Sequence, residues 1–404
     1  MWPAGRVAGQ LGSQPPITHS VPKRPVAMSE VSVQPVLTGR QRKQFLQFPW
    51  KLYANDPHWV PPLRMDQPGL VGYKRHPFYE QNEVQTFLAF RGRELCGRIA
   101  AIWNRLHNQY HRENLGFWGF FECVDDQEVA NALLDSVRQW FSERGIYRLR
   151  GPANPSINYT LGMLVEGFDS PPTFMMTYNP PYYPTLVEAY GFRKSQDLYA
   201  YWGHIDFLPQ LSQRFSAFIS RLKSHFGIQL RTLDRRRFRQ DIEEFLTIYN
   251  QSLAGTWGFV PLSQNEVHHI ARGLKYLLVP ELAVAAEVDG RMVGAAFCLP
   301  DYNPEIRAID GRLFPFGFFR LLRAKRQVRK IRILSANVVP EYQRLGIGLV
   351  MLAQLAPFCI QNGIREAELS WVLESNALSR GSLEKGGAKR IKTYRLYDLE
   401  TNMD

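Results

Sequence analysis

The sequence repeats itself weakly at a spacing of about 197 residues, and this repeat limits the chain to folds that can be built twice. The phrase Gly-Arg-Glu-Leu-Cys-Gly that begins at Gly92 recurs as Gly-Arg-Met-Val-Gly-Ala at Gly290. Two further markers recur near the end of each half at almost the same spacing: Asn179 with Asn376, and Gly191-Phe192 with Gly387-Ala388. Nearly constant spacing at both ends is typical of two copies of one fold.

Each copy has the same predicted order of elements. The hydrophobic periodicity and the turn residues predict a strand, two helices, a hairpin of strands, a strand, a helix, a strand, a helix and a final strand. This order predicts an α/β fold with a mixed sheet. We divide the chain into a disordered tail (1–40), a first domain (41–205) and a second domain (206–404). The two copies differ in length between these markers. The second copy has an insertion at roughly 303–328, and the first copy has a longer segment at 151–178, so the overall spacing stays nearly constant.

The most specific motif is the turn Gln343-Arg344-Leu345-Gly346-Ile347-Gly348 in the second copy. It follows a strand-like run at 331–339 and precedes a helix-like run at 349–360. Glycines at 346 and 348 allow the backbone to approach a ligand closely. The unpaired N–H groups of the first helical turn, with the positive end of the helix dipole, favour an anion. The turn lacks a Walker lysine and a third glycine, so it predicts a pyrophosphate site other than that of a nucleoside triphosphate or a dinucleotide.

The corresponding turn of the first copy has a different character. After the strand-like run at 116–122 the sequence continues with Asp125, Asp126 and Glu128 at the predicted helix start. Acidic residues cap a helix N-terminus well but repel a pyrophosphate. We therefore expect the first copy to be degenerate and the second copy alone to bind the anion.

The turn resembles the acyl-coenzyme A loop of the GNAT acetyltransferase superfamily. Val-Val-Pro-Glu-Tyr at 338–342 and Asn376 after a strand candidate at 367–372 extend the resemblance, and the tandem arrangement looks like the double-GNAT proteins. The first half further resembles a bacterial family of unassigned function. That likeness rests on the phrases at 56–63, 97–101, 117–122, 150–158 and 178–183. The resemblance covers nearly all of residues 40–400.

The resemblance implies an acyl-CoA site and its residues. Acetyl-CoA or another acyl-CoA would be the co-substrate, and no metal is implied. The backbone of Val338 and Val339 would face the pantetheine arm, and Asn376 would lie near the thioester. The implied coenzyme site comprises Val338, Val339, Gln343, Arg344, Leu345, Gly346, Ile347, Gly348 and Asn376. Many GNAT enzymes have a tyrosine seven residues after this asparagine as general acid, whereas this chain has Leu383.

Acyl transfer to an amine needs a base, a polarised thioester carbonyl and close positioning. A backbone N–H near Val338 is suited to polarise the carbonyl. Glu368 and Glu374 are the candidate bases, and a solvated strand residue is the alternative for each. Tyr394 and Tyr397 lie on a later strand and are not assigned.

Candidate residues for the acceptor come from both copies. Trp257 lies in the loop between the first two helices of the second copy, and Asp301 and Tyr302 end its hairpin. Asn158 and Tyr182 belong to a polar and aromatic cluster of the first copy. Simple aromatic packing is the alternative for Trp257, and a rigid loop scaffold is the alternative for the first-copy cluster.

Composition narrows the compartment and the partners. The four cysteines lie far apart without a CxxC pair, and the nine histidines show no metal spacing, so neither a disulfide framework nor a metal site is indicated. This favours a reducing, cytoplasmic location. No run of eighteen apolar residues occurs, so no membrane span is predicted.

The chain has a net charge of +12, part of it in the stretch 320–330. Arg320, Arg323, Arg326 and Lys330 are predicted to share a helical stripe that follows four phenylalanines. A solvated basic face or an attractor for coenzyme phosphates ranks first, a membrane-surface helix second and nucleic-acid binding last.

Taken together, these features predict an acyl-CoA-dependent N-acyltransferase that acetylates an amine on a small-molecule acceptor. Two alternatives stay open. Loss of the tyrosine at Leu383 favours a non-catalytic acyl-CoA-binding or scaffold protein. The phenylalanine-rich basic insertion favours a membrane-proximal transferase acting on a lipid or cell-wall precursor.

Overall fold

The computed structural model describes residues 30–205, 220–221, 224–325 and 327–400. Residues 1–29 of the predicted disordered tail lie outside this range. The last part of that tail is ordered, because Val31–Pro35 forms a strand and Gly39 begins a helix.

The first copy contains the predicted elements in the predicted order. Its helices are α1 (Gly39–Leu52), α2 (Gln67–Leu70), α3 (Arg105–His111), α4 (Gln127–Ser142) and α5 (Tyr183–Tyr190). Its strands are β1 (Val31–Pro35), β2 (Glu83–Arg91), β3 (Glu94–Trp103), β4 (Leu115–Cys123), β5 (Arg148–Gly151), β6 (Ala153–Asn154), β7 (Thr160–Leu161), β8 (Met163–Glu166) and β9 (Arg193–His204).

The second copy repeats this order. Its helices are α6 (Phe238–Ser252), α7 (Gln264–Leu277), α8 (Asn303–Ala308), α9 (Gly317–Ala324), α10 (Ile347–Gln361) and α11 (Ala377–Lys385). Its strands are β10 (Gln229–Thr232), β11 (Ala283–Val288), β12 (Arg291–Pro300), β13 (Lys330–Val338), β14 (Glu366–Leu373) and β15 (Lys389–Glu400).

Local sequence explains where several of these elements begin and which side they bury. Capping boxes start α1 at Thr38 and α7 at Ser263, where each hydroxyl and the glutamine or glutamate three residues later exchange hydrogen bonds with the backbone. Strand β12 is buried from Met292 to Pro300, which fits a central strand covered by helices on both faces.

In the described part of the chain, thirteen strands form one mixed sheet, in the order β1-β2-β3-β4-β5-β15-β9-β14-β13-β12-β11-β10 with β8 beside β15. The last strands of the two copies are exchanged. Strand β9 ends the first copy but pairs with β14, and β15 ends the second copy but pairs with β5. The two exchanged strands pair with each other antiparallel at the centre.

This exchange makes one continuous structure from the two copies, because the exposed edges that β5 and β14 would otherwise present are covered. The α/β class and the repeat of one fold are therefore confirmed. The boundary at residue 205 remains a prediction, and strand pairing crosses it.

The predicted basic helical stripe is wrong at Lys330, and Arg326 lies outside the described residues. Helix α9 ends at Ala324, and Lys330 begins strand β13 instead of lying on the helix. Lys330 turns inward, where its ammonium donates to the Thr173 hydroxyl at 2.6 Å. Of the described residues of the predicted stripe, Arg320 and Arg323 lie on α9.

Candidate active site between the two copies

The predicted pyrophosphate turn has open backbone donors. Gly346 adopts φ 79° and caps α10, and Arg344 also lies in the left-handed region at φ 67°. Among the described residues, none of the N–H groups from Arg344 to Gly348 donates to another protein group. A Cβ built on Gly348 would meet no atom within 4 Å. The turn therefore presents free donors to solvent at a helix N-terminus, as an anion site requires.

Next to this turn, two parallel strands diverge. Strands β13 and β14 pair from Lys330 with Glu366 to Ile333 with Leu369, and the pairing stops there. Beyond that point Ala336 is exposed, although it lies in an interior strand of the sheet. Val338 follows in the same strand, whereas Val339 is buried and its N–H donates to the Val293 carbonyl at 2.9 Å. A linear ligand such as a pantetheine arm could replace the missing ladder bonds.

Three buried polar groups on β13, β14 and β15 have no partner among the described residues. They are Nδ2 of Asn337, Nε1 of Trp371 and Oη of Tyr394. Trp371 and Tyr394 belong to one apolar cluster, together with Trp257. Buried donors without partners are rare in folded proteins and are costly unless a ligand or water satisfies them.

Glu368, the first candidate base, is completely buried. Its carboxylate accepts a hydrogen bond from the Thr173 hydroxyl, another from Ser370 Oγ at 3.0 Å, and an ion pair from Lys330 at 3.4 Å. Two further buried cations, Arg332 and Lys392, interact electrostatically with this carboxylate. Glu368 thus balances a buried positive cluster, and its role as base remains a prediction.

The two neighbouring cations are strongly affected by burial. Burial lowers the pKa of Arg332 to about 10, and its guanidinium donates to Ser370 and to the carbonyls of Phe174 and Met175. Burial also lowers the pKa of Lys392 to about 8. These contacts fix the segment after Pro172 against strands β13 and β14.

Glu374, the second candidate base, lies at the surface. Lys194 Nζ donates to its carboxylate at 2.8 Å and lowers its pKa, which makes the carboxylate a weaker base. Asn376 caps α11 by accepting from the Ser379 N–H, and Leu383 lies on that helix. The hydroxyl of Tyr397 donates to Glu188 at 2.8 Å. The general acid is therefore not identified on these elements.

The first copy is closed at the equivalent place. The Phe120 N–H on β4 donates to Asn154 Oδ1 at 2.6 Å, and a Cβ on Gly119 would lie 1.8 Å from the Ala153 carbonyl. At the helix start, Asp126 accepts from the Glu128 and Val129 N–H groups and pairs with Arg91. Protein groups thus occupy the space and the donors that the second copy leaves open, as expected for a degenerate copy.

Two of the predicted acceptor residues come together where the copies meet. Asn158 donates to the Val260 carbonyl at 2.8 Å, so the first copy holds the loop that contains Trp257. Trp257 stacks under the Arg150 guanidinium, 4.8 Å from the ring centre. Both residues therefore lie at the contact between the copies.

The other three predicted acceptor residues have protein partners elsewhere. Tyr302 is fully buried and donates to the Leu277 carbonyl at 2.6 Å. Asp301 accepts from the Phe174 N–H at 3.0 Å, and Tyr182 donates to the Cys123 carbonyl at 2.8 Å. Their role in acceptor binding stays a prediction.

A cavity of about 450 Å³ lies beside Trp257. Its wall includes His107, His111, Glu113 and Arg150 of the first copy and residues 255–258 of the second. His107 Nε2 lies 2.9 Å from Glu113 Oε2. Asp398 holds Arg150 with two hydrogen bonds at 2.6 and 2.7 Å. The cavity combines an aromatic wall with fixed polar groups, as small-molecule sites commonly do.

The sequence does not indicate this group of residues, because His107 and His111 show no metal spacing and belong to no other motif. Arg332 was also missed. An arginine between Ile331 and Ile333 in an apolar strand is the signal that could have revealed a buried cation. Trp371 and Tyr394 carry no sequence signal, because lack of a partner is a property of the assembled structure.

His107 is expected to make the protein sensitive to acid. Burial lowers its pKa to about 4, whereas the unfolded value is 6.5. The stability that depends on a neutral His107 is complete above pH 6.5 and is lost as the pH falls towards 4. His107→Gln should therefore reduce the loss of unfolding free energy between pH 7 and pH 5 by about 2 kcal/mol in urea titrations. His76, whose pKa burial also lowers to about 4, is present in both proteins and cancels. Equal losses in both proteins would contradict this prediction.

Comparisons with known proteins agree with this geometry. A family model described as the acetyltransferase (GNAT) family matches residues 242–387. The bacterial ceramide synthase of Caulobacter vibrioides is 35% identical over 380 residues, which cover 92% of this chain and 97% of that protein. The chain belongs to the GNAT acetyltransferase family.

Further relatives extend this result. Protein YghO of Escherichia coli is 32% identical over 376 residues, covering 91% of this chain and 95% of that protein. A tandem GNAT protein from the clavulanic acid biosynthesis pathway matches with a TM-score of 0.54 and 11% identity, over 93% of this chain and 100% of that one. This structural likeness shows the fold alone, and it confirms a tandem GNAT architecture. GNAT proteins use acyl-CoA as co-substrate, so the chain is an acyltransferase of this general type.

Two structural properties concern membrane spans and metals. In the described ranges, no helix has both the length and the apolar character required to cross a bilayer. The same residues contain no group of three or more histidine, cysteine or acidic side chains arranged around a metal position.

Proposed function

We propose that this GNAT protein transfers an acyl group from acyl-CoA to the primary amine of a long-chain amphiphilic base and forms an amide. The observation that carries the proposal is the 35% identity to a bacterial ceramide synthase across 97% of that protein. A ceramide is the N-acyl amide of such a base. The acceptor is thus more specific than the small-molecule amine that the sequence predicted.

The site supports this reaction in three ways. The turn from Arg344 to Gly348 offers free N–H groups for the pyrophosphate. The gap between β13 and β14 gives the pantetheine arm a path to the strand backbone near Val338, whose N–H groups are suited to polarise the thioester carbonyl. The apolar cluster of Trp371 and Tyr394 leaves the indole N–H and the hydroxyl without a protein partner, as groups that a substrate would satisfy.

The bond changes follow from these positions. The amine nitrogen attacks the thioester carbonyl, the new C–N bond forms and the C–S bond breaks. The amine loses a proton, the coenzyme A thiolate gains one, and free coenzyme A leaves. Glu368 and Glu374 remain the candidate bases, with Glu368 nearer to the buried cationic cluster and Glu374 paired with Lys194.

An assay with purified protein tests this function. Acetyl-CoA and palmitoyl-CoA are each incubated with sphinganine in detergent or with ethanolamine, and released thiol and amide product are measured. We expect amide formation with sphinganine and little with ethanolamine, because the short amine lacks the apolar chain. Thiol release with neither amine would contradict the proposal.

The substitution of leucine for the usual tyrosine at Leu383 favours a second candidate, an acyl-CoA-binding protein without turnover. Stabilisation by acyl-CoA in a thermal-shift titration, with no product in the assay, would support this candidate instead.

A further inference from the structure

A cluster of exposed aromatic side chains lies on the second copy, outside the candidate active site. Phe314, Phe316 and Phe319 are 72%, 78% and 66% exposed, and Tyr276 and Leu322 extend the patch. Phe318 joins the two parts, since its ring contacts those of Tyr276 and Phe319. Single exposed apolar residues are common, but a contiguous group of large ones marks an interaction surface.

The patch stands on a firmly held base. On the inner side of α9, Leu321 and Ala324 are buried in the core of the second copy. The turn before α9 is tied to the first copy, because the Arg64 N–H donates to the Gly311 carbonyl and Trp50 Nε1 donates to Asp310. The phenylalanines are thus exposed by the geometry of a packed element.

The segment of sequence that carries the patch is basic. The sequence from Gly311 to Lys330 contains seven lysines and arginines and no acidic residue. Arg320 is paired with Glu305, and Lys330 turns inward, but Arg323 and Arg329 are exposed. Exposed aromatic rings with surrounding positive charge are the combination that binds the interface of an anionic bilayer.

We propose that this patch docks the protein on an anionic membrane surface, with the three phenylalanines inserted at the level of the lipid headgroups. A protein partner is the competing occupant, and the exposed arginines near the rings in sequence favour the anionic lipid surface. The docking does not depend on the proposed function.

The position of the patch also bears on how the acceptor reaches the protein, and this step rests on the proposed function. The insertion that carries the patch contacts residues 172–174, through Asn303 to the Pro172 carbonyl and Asp301 to the Phe174 N–H. The same segment holds Glu368 and Arg332 beside the diverging strands. A membrane-bound protein would therefore have its acceptor site close to the source of a long-chain amine.

Vesicle co-sedimentation tests the docking without acyl-CoA or acceptor. The full chain is mixed with vesicles of phosphatidylcholine, or of phosphatidylcholine with phosphatidylglycerol, at low and high salt. We expect binding to the anionic vesicles that weakens with salt. The triple variant Phe314→Ser, Phe316→Ser, Phe319→Ser should bind the anionic vesicles at least roughly tenfold more weakly than the wild type. A control with Leu37→Ser and Ile360→Ser, exposed elsewhere, should bind like the wild type.

The outcomes separate the possibilities. Failure of the wild-type protein to bind anionic vesicles, or equal binding by the triple variant, would overturn the docking. Dimerisation that is lost in the triple variant, without vesicle binding, would assign the patch to a second copy of the chain and would also overturn it. With sphinganine dispersed in detergent, the triple variant should keep wild-type turnover, so a failure of the proposed function is detected separately.

Discussion

A Gly348→Glu variant is expected to lose acyl-CoA binding by roughly 100-fold or more, with a similar loss in kcat/KM. The new carboxylate would lie in the first turn of α10, where the free N–H groups face the predicted pyrophosphate. Like charges a few ångströms apart repel by several kcal/mol in a partly screened site. Titration calorimetry with acetyl-CoA and palmitoyl-CoA measures the effect.

The matched control is Gly348→Ala. A Cβ at this position meets no neighbour, and alanine favours the helix, so the alanine variant should bind acyl-CoA like the wild type. An acidic residue near a helix N-terminus does not destabilise the helix, so the glutamate variant should also remain folded. Unchanged binding in the glutamate variant would mean that the turn does not hold the pyrophosphate.

Glu368→Gln is expected to lower the free energy of unfolding by about 3–5 kcal/mol. The glutamine keeps the shape of the side chain but removes the negative charge beside three cations, Lys330, Arg332 and Lys392. Buried cations without a counter-charge are costly, because little solvent compensates them. Urea denaturation followed by fluorescence measures the loss.

Glu374→Gln is the control for this substitution. Its ion pair with Lys194 lies at the surface, so its loss should cost less than about 1 kcal/mol. If Glu368 is also the base, the folded fraction of its glutamine variant should lose turnover and the acidic limb of its pH profile. A small stability loss in Glu368→Gln, equal to that of Glu374→Gln, would contradict the role in the cationic cluster.

Much of the fold could be predicted from local sequence. The hairpin turns at Gly92 and Gly290, the strand before Val339 and the helix after Gly346 all appear where the pattern placed them. Helix periodicity, glycine conformation and capping depend on neighbouring residues. Because the chain contains two copies of the fold, these patterns occur in both halves. The basic stripe failed at Lys330 because its charge continues a helical spacing beyond Ala324, where the helix ends.

The candidate site was predictable only in part. The free donors of Arg344 to Gly348 follow from a short motif, whereas the cavity beside Trp257 required Arg150 of the first copy to meet Trp257 and Asp398 of the second. Residues that meet across more than 100 positions leave no periodic signal. For the same reason Glu368 resembled a solvated strand residue in the sequence, although it is completely buried.

The sequence by itself determined that the chain builds one GNAT-type fold twice and that one copy alone has the glycine turn predicted to bind an anion. Both properties depend on residues that are close together in the sequence, namely turn glycines and alternating apolar residues. The tertiary structure alone decided that β9 and β15 change places and that the first copy fills its own gap with Asn154. Strand partners are chosen by the burial of whole sheet edges, which no short stretch of sequence records.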